Sequence, residues 1–222
     1  MSFIVIAFYT KNTFYEDEAE KLIETAKQFN LKYDVRAYDS RGNWVRNAAI
    51  KPEFIYEMLL EHENENILYV DVDARFRQYP SLYDNFDGDV GLHYLANKKD
   101  PTKRELLSGT IFLKNNEPVR KLVKLWVEQQ QNKPDVWDQR VLDEVIKNYA
   151  EKLKIKVVNT PPQYTRIFDS KHQKGEPVIE HMQASRRARR KGLTRKGTAG
   201  YIFIYFGQSI IRRLRHFLNK NK

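Results

Sequence analysis

Residues 66–73, NILYVDVD, decide how this chain is expected to fold. Asn66 to Val70 form a short apolar run, which predicts a strand buried on both faces, and Asp71 and Asp73 follow at its end. Side chains two residues apart in an extended chain point to the same side, so both carboxylates can face one ligand. Hard oxygen ligands of this kind suit Mg²⁺ or Mn²⁺, whereas the alternative is a pair of turn residues after a strand.

Strands and helices are predicted to alternate on both sides of this stretch. Before it, the pattern predicts strands at 3–8 and 33–38, a helix after the capping-box spacing of Thr13 and Glu16, and a helix at 52–62 that Pro52 opens. After it, the pattern predicts strands at 90–94, 109–113, 155–158 and 178–181 and helices at 117–130 and 136–149. This alternation predicts an α/β fold with a mostly parallel sheet, in which ligands bind beyond the carboxyl ends of the strands.

The composition excludes several classes of protein. The 222 residues are 41% hydrophobic, which is enough for one sizeable core and predicts one compact domain. The absence of cysteine excludes a disulfide framework, a thiolate metal site and a cysteine nucleophile. No apolar run approaches the ~20 residues of a membrane-spanning helix, and the N-terminal residues lack the features of a signal peptide. We therefore expect no transmembrane segment and a cytoplasmic protein.

Positive charge is concentrated at the C-terminal end. Residues 186–222 hold 12 Lys and Arg and no acid, so the other 27 of 39 basic residues and all 29 acidic residues lie in 1–185, giving net charges of +12 and −2. This predicts a domain at 1–185 and a basic C-terminal extension at 186–222, which is attracted to polyanions or simply solvated. Within the extension, Tyr201 to Phe206 is apolar and Gln208 to Leu218 has the pattern of an amphipathic helix.

Seven segments, in order along the chain, resemble segments of glycosyltransferases of the GT-A fold, in the nucleotide-diphospho-sugar transferase superfamily. They are FIVIAFYT at 3–10, RNAAIKPEFI at 46–55, ILYVDVDARF at 67–76, DVGLHY at 89–94, LLSGTIFLKN at 106–115, VWDQRVLDEVI at 136–146 and VIEHMQASRR at 178–187. A D-x-D motif followed in order by S-G-T, W-D-Q and a late histidine is a specific combination. The resemblance implies a single GT-A, Rossmann-like α/β domain with a mostly parallel central sheet.

The resemblance also implies a donor site. It places Asp71, Asp73 and His181 at a divalent cation, Mn²⁺ or Mg²⁺, that holds the donor diphosphate, with Asp73 as the direct ligand and Asp71 either at the cation or turned toward the ribose. The other donor contacts that it implies are Tyr9 and Thr10 at the base, Lys51 at the phosphates, and Ser108 and Gly109 at the sugar. The basic extension departs from the family, and its first residues, Arg186 and Arg187, are expected to reach the donor diphosphate or an anionic acceptor. From the residues alone, His181 is equally well a packed histidine at a strand end, Lys51 a solvated helix start, and Gly109 a strand glycine at a bulge.

Asp138 and Gln139 are the expected catalytic residues. Without the resemblance, Asp138 is a residue of the first helical turn and Trp137 is a packing anchor. The resemblance implies that Asp138 and Gln139 approach the donor sugar from the side opposite the diphosphate, and a D-Q pair at this position favours retention of configuration. An inverting enzyme would instead need a carboxylate base, for which Asp138 and Asp89 are the candidates.

The expected activity is metal-dependent transfer of a hexosyl or pentosyl group from a nucleotide-diphosphate donor, uridine-linked, to an acceptor hydroxyl. One acceptor is a modified nucleic acid base, as in phage-type DNA modification, with the basic extension contacting phosphates. The alternative is a lipid-linked or cell-envelope glycan, with the protein peripheral at the inner face of an anionic membrane. A second alternative is a non-catalytic nucleic-acid-binding protein. The arginine-rich stretch beside the inferred site favours nucleic acid, and the D-x-D motif with His181 argues against the non-catalytic protein.

Overall fold

The central element of the fold is a six-stranded sheet. A computed structural model describes residues 3–96, 100, 104–170 and 173–190, with side chains up to Arg187. The strands are β1 (Phe3–Thr10), β2 (Tyr33–Tyr38), β3 (Asn66–Val70), β5 (Val90–Ala96), β6 (Arg104–Leu113) and β7 (Val157–Asn159), in the order β2-β1-β3-β6-β5-β7. Among these strands β6 alone is antiparallel to its neighbours, so the sheet is mostly parallel. The predicted α/β fold class is confirmed.

Helices cover both faces of the sheet. Helix α1 (Tyr15–Gln28) packs on one face, whereas α3 (Lys51–Glu61), α4 (Glu117–Asn132) and α5 (Asp138–Tyr149) pack on the other. Alternate residues of β1 serve the two layers, because Val5 lies in the core beneath α1 and Ile6 lies in the core beneath the other three helices. A strand between two helical layers must be apolar on both sides, which is why the run at residues 3–8 has no polar residue.

A smaller, three-stranded sheet brings the late histidine to the end of β3. It consists of β4 (Ala74–Phe76), β8 (Arg166–Ile167) and β9 (Ile179–His181), in the order β4-β9-β8. Strand β4 follows the two aspartates directly, and its antiparallel pairing with β9 sets Ala74 opposite His181. This register places His181 beside Asp73, although 108 residues separate them in sequence.

Two local expectations differ from the structure. The capping box is wrong, because the Thr13 hydroxyl accepts a hydrogen bond from the Tyr15 N–H at 3.2 Å and the Glu16 carboxylate accepts one from the Asn12 N–H at 2.7 Å. Both side chains therefore stabilise the turn before α1 instead of bonding reciprocally. A short helix, α2 (Trp44–Ala48), precedes α3 and was not predicted; it is too short to show an apolar period.

The last described element is α6 (Ala184–Arg190), which follows β9. The domain boundary expected after Ser185 falls inside this helix and stays a prediction. The apolar run Tyr201 to Phe206 and the predicted amphipathic helix Gln208 to Leu218 lie outside the described residues. Within the described part of the chain, no helix has the length and apolar character needed to cross a membrane.

Candidate functional site

A cleft of about 280 Å³ opens at the carboxyl ends of β1 and β3. Every residue expected at the site lines it: Tyr9, Thr10, Lys51, Asp71, Asp73, Ser108, Gly109, Asp138, Gln139, His181 and Arg186. These residues come from seven different elements or the loops beside them. Asp89, the other candidate base, does not line the cleft. It directly precedes β5, and its carboxylate accepts hydrogen bonds from Asn116 and from the Lys156 N–H, both at 2.9 Å.

Two carboxylates and one imidazole converge at one side of the cleft. Asp71, Asp73 and His181 each offer a ligand atom, and these atoms lie within 4.8 Å of one another. The Nδ1 atom of His181 lies 3.7 Å from Oδ1 of Asp73. Oxygen and imidazole ligands in this number suit Mn²⁺ or Mg²⁺ and leave positions for a phosphate and water.

The partner of His181 on its other nitrogen is Thr110. The Nε2 atom of His181 lies 2.8 Å from the Thr110 hydroxyl, and both residues are buried. With a cation bound, Nε2 would carry the proton and donate it to Thr110, which would leave the lone pair on Nδ1 for the cation. Thr110 therefore contributes to the site from behind the histidine rather than from the cleft wall.

Asp73 is held as an anion. Burial raises its pKa, but the His181 imidazole and a hydrogen bond from the Ala184 N–H at 2.7 Å outweigh burial and leave the pKa below its usual range. The same hydrogen bond joins Asp73 to the first residue of α6. A carboxylate that stays ionised at neutral pH is a competent metal ligand.

A buried lysine joins the metal cluster to the expected catalytic aspartate. Lys51 is 4% exposed, and its Nζ atom lies 3.1 Å from Asp71 Oδ1 and 2.9 Å from Asp138 Oδ2. Burial lowers the pKa of Lys51, but the two carboxylates outweigh burial, so the pKa is raised. The Ser108 hydroxyl donates to Asp138 at 2.9 Å and accepts from Lys51 at 3.0 Å. Lys51 is thus a permanent charge between the two aspartates.

Tyr69 is a site residue that the sequence reasoning missed. Its hydroxyl donates to Asp71 Oδ1 at 2.8 Å, and its ring lies 5.1 Å from the Lys51 Nζ atom. Burial first, and then the Asp71 charge, raise the pKa of Tyr69 well above its usual value, so it stays a donor. The signal was present for Tyr69 and Asp71, which are two residues apart at the end of β3. Asp73 reaches the same site through the turn that follows, in which the Ala74 N–H donates to the Asp71 carbonyl at 2.8 Å.

Gly109 allows the close approach of β6 to the metal cluster. A Cβ atom at this position would lie 3.1 Å from Cε1 of His181 and 3.3 Å from Oδ2 of Asp71. Both distances are shorter than ordinary van der Waals contact, so a larger residue would displace one of the two ligands.

The remaining expected residues also line the cleft. Tyr9 and Thr10 end β1, and Arg186 lies in the first turn of α6. On α5, the Gln139 side-chain amide donates to Glu105 at 3.0 Å. Next to Gln139, the ring of Trp137 meets the ring of Trp44 edge to face, with centroids 5.3 Å apart.

The architecture has a counterpart of known structure. The chain matches a crystal structure described as that of a glycosyltransferase involved in the glycosylation of the major capsid of PBCV-1, with a TM-score of 0.64 and 14% sequence identity. The match covers 86% of this chain and 98% of the other. Together with the strand order, this likeness defines the fold as that of a GT-A glycosyltransferase.

A comparison with sequence models of protein families establishes the family of this chain. A model of the nucleotide-diphospho-sugar transferase family matches residues 51–191, which is more than half of the chain. The chain therefore belongs to the nucleotide-diphospho-sugar transferase family. A comparison with curated proteins found no match. The matched residues run from Lys51 to just past α6, and they include the two aspartates and His181.

Proposed function

We propose that the chain is a metal-dependent glycosyltransferase that takes a sugar from a nucleotide-diphosphate donor, uridine-linked, and passes it to an acceptor hydroxyl. The observation that carries this proposal is the convergence of Asp71, Asp73 and His181 at the ends of β3 and β9. These residues fit Mn²⁺ or Mg²⁺ by the chemistry of their ligand atoms. A divalent cation held there supplies positive charge to the leaving nucleoside diphosphate.

The donor spans the cleft in this proposal. Tyr9 and Thr10 take the base and ribose end, and the diphosphate lies at the carboxylate and imidazole cluster within reach of Arg186. Lys51 does not reach into the cleft as a free cation, because both aspartates hold it; its role is to position Asp71 and Asp138. This role differs from the direct phosphate contact that the resemblance implies.

Asp138 and Gln139 then face the sugar. Lys51 and Ser108 hold one oxygen of Asp138 and so fix the position of this side chain beside the anomeric carbon of the sugar. Gln139 lies one residue further along the first turn of α5. We infer retention of configuration for the transferred hexosyl or pentosyl group, because the resemblance associates a D-Q pair at this position with retention and both residues line the cleft.

The basic residues after Ser185 favour a second candidate function, which is transfer to a modified base of nucleic acid. Residues 186–222 have 12 positive charges and no negative ones, which suits contact with phosphates. The same charge suits an anionic membrane that carries a lipid-linked glycan, with the protein peripheral on its cytoplasmic side. A modified base and a glycan differ in chemistry, so the residues that line the cleft, rather than the basic extension, must distinguish between them.

The experiment is donor hydrolysis across a panel of nucleotide sugars, with Mn²⁺, with Mg²⁺ and with EDTA. We expect release of a nucleoside diphosphate from at least one uridine-linked sugar, dependent on the cation, and loss of that release in Asp73→Ala. Hydrolysis at the wild-type rate in EDTA would contradict the metal dependence. No hydrolysis of any donor, together with tight binding of nucleic acid, would favour a non-catalytic binding protein instead.

A further inference from the structure

Two tryptophans form an aromatic platform in the cleft, beside the expected catalytic residues. Trp44 begins α2 and Trp137 directly precedes α5, so two separate loops bring the rings together. The ring centroids are 5.3 Å apart with an interplanar angle of 63°, and both residues line the cleft. Trp44 is 40% exposed, which leaves a large apolar ring facing solvent at a cleft mouth.

The platform lies on the α5 side of Lys51, opposite the metal cluster. The metal cluster lies next to β4 and β9, on the side of the sheet that α1 covers, whereas α3 and α5 belong to the opposite helical layer. Lys51 bridges the two sides, with Asp71 toward the cluster and Asp138 toward α5. Trp137 is the neighbour of Asp138 in the chain. A donor whose diphosphate is held at the cluster would therefore direct its sugar toward the platform.

We propose that Trp44 and Trp137 form an acceptor subsite that binds an uncharged sugar ring, so that the acceptor is a glycan. This inference rests on the proposed function for the direction of the donor. The C–H face of a pyranose is apolar and packs on the flat face of an aromatic ring, and its hydroxyls need polar partners at the rim. Glu105 and Gln139 also line the cleft and supply an acidic and an amide group for that rim.

The charges around the platform argue against a nucleic acid ligand. A strand of phosphates needs cations that are available to it, and Glu105 would repel a polyanion. Arg46, two residues after Trp44, is instead paired with Asp135, two residues before Trp137, at 2.8 Å. Arg41 is similarly paired with Glu53. Arg104 and Arg140, next to Glu105 and Gln139 in sequence, are exposed but do not line the cleft. The cleft lining beside the tryptophans therefore consists of aromatic, amide and carboxylate groups, which suit hydroxyls better than phosphates.

The platform can be tested by its own fluorescence. Of the three tryptophans, Trp126 is 1% exposed in the core, so a ligand that changes the emission does so through Trp44 or Trp137. The protein is titrated without donor with the methyl glycosides of glucose, galactose, mannose, rhamnose, fucose and xylose, and separately with a single-stranded oligonucleotide. We expect at least one glycoside to change the emission and to bind about fivefold or more weakly to Trp44→Ala, with partial recovery in Trp44→Phe.

The matched control is Tyr79→Ala. Tyr79 is 43% exposed, like Trp44, but does not line the cleft, so its removal should leave glycoside binding unchanged. Circular dichroism and the midpoint of thermal unfolding establish that Trp44→Ala is folded. The inference is overturned if no glycoside binds, if glycosides bind equally to Trp44→Ala, or if the oligonucleotide binds in a Trp44-dependent way.

This result is separable from that of the donor experiment. Glycoside binding without metal-dependent donor hydrolysis would sink the proposed transfer and leave the sugar-binding platform in place. Donor hydrolysis without any glycoside binding would leave the proposed transferase in place and refute the platform.

Discussion

Asp71 belongs both to the proposed metal cluster and to the group of side chains that contact Lys51. Its Oδ1 atom accepts from Tyr69 and pairs with Lys51, while its Oδ2 atom faces Gly109. The D-V-D pattern predicted two carboxylates on one side of an extended chain. The structure brings both to one cleft, but through a turn that begins at Asp71 rather than through an extended chain. The pattern did not predict the bond from Tyr69 to Asp71 or the pairing of Lys51 with Asp138, because contacts between distant residues depend on the tertiary fold.

Removal of the Lys51 charge should destabilise the protein. In Lys51→Met, Asp71 and Asp138 lose the cation between them, and an uncompensated buried charge costs about 3–5 kcal/mol. We expect the free energy of unfolding in urea to fall by this order, and the double variant Lys51→Met with Asp138→Asn to recover part of it. Lys11→Met is the control, because the Lys11 pair with Asp39 is exposed to solvent. Equal stability of wild type and Lys51→Met would contradict the bridging role.

Asp34 should make the stability depend on pH in acid. Hydrogen bonds from Arg36 lower the pKa of Asp34, so Asp34 stabilises the fold above its unfolded pKa of about 3.9. That contribution is lost as the pH falls through the lower, folded pKa. Urea unfolding between pH 5 and pH 2 should show a smaller loss of stability in Asp34→Asn than in wild type. If the free energy of unfolding of Asp34→Asn falls with decreasing pH as steeply as that of wild type, the prediction is contradicted. The control is Asp39→Asn, because the Asp39 side chain is 88% exposed.

Among the elements, strands with a clear pattern were predictable and the shortest ones were mostly not. Strands β2 and β3 begin and end where the sequence predicts, because β3 is buried and continuously apolar whereas β2, at the sheet edge, alternates in polarity. Strand β6 begins at Arg104, five residues before the predicted start, because Glu105 and Ser108 interrupt its apolar pattern. Strands β4 and β8 have three and two residues, and no periodicity exists at that length. His181 could therefore be connected to the aspartates only through the family resemblance, since the β4–β9 pairing has no signal of its own.

A buried glutamate on α1 forms ion pairs with β4 and with α6, and so anchors α6 to the domain. Glu18 is 5% exposed; it is paired with Arg75 of β4 and with Arg187 of α6, the latter at 3.1 Å. Burial lowers the pKa of Arg75, although Glu18 opposes this effect. Because Asp73 accepts from the first N–H of the same helix, the position of α6 and the geometry of the metal cluster are joined.

The anchor predicts a stability defect in Glu18→Gln. Loss of its charge leaves Arg75 buried without a counter-ion, and we expect the free energy of unfolding to fall by about 3 kcal/mol. Glu24→Gln, on an exposed position of the same helix, should change the stability by less than about 0.5 kcal/mol. Limited proteolysis should also cut the chain sooner near α6 in Glu18→Gln. If Glu18→Gln has the same free energy of unfolding and the same rate of proteolysis as wild type, Glu18 does not anchor α6.

At the scale of the whole molecule, acidic and basic residues are divided between the domain and its C-terminal residues. The charge of +12 in residues 186–222 was evident from composition, but composition does not distinguish one polyanion from another. The aromatic platform favours a glycan as acceptor, and a lipid-linked glycan at a membrane would then give the basic residues an anionic surface.

We expect the full chain to bind anionic vesicles through residues 191–222. The full chain should sediment with phosphatidylserine vesicles, and a chain that ends at Arg190 should do so much less, because each basic residue near the surface contributes about 1 kcal/mol. Neutral phosphatidylcholine vesicles are the control. Retention on duplex DNA near 150 mM salt by the full chain only, with no vesicle binding, would favour the nucleic acid acceptor instead.

Electron paramagnetic resonance can count the Mn²⁺ ions bound to the protein, with and without uridine diphosphate, and so tests the proposed donor site without a transfer reaction. We expect one Mn²⁺ per chain in the presence of the nucleotide, coupled binding of metal and diphosphate, and loss of both in Asp73→Ala. Control spectra of Asp39→Asn should match those of wild type. Binding of uridine diphosphate with equal affinity in EDTA, or an undiminished Mn²⁺ signal in Asp73→Ala, would contradict the claim that Asp71, Asp73 and His181 hold the cation for the donor.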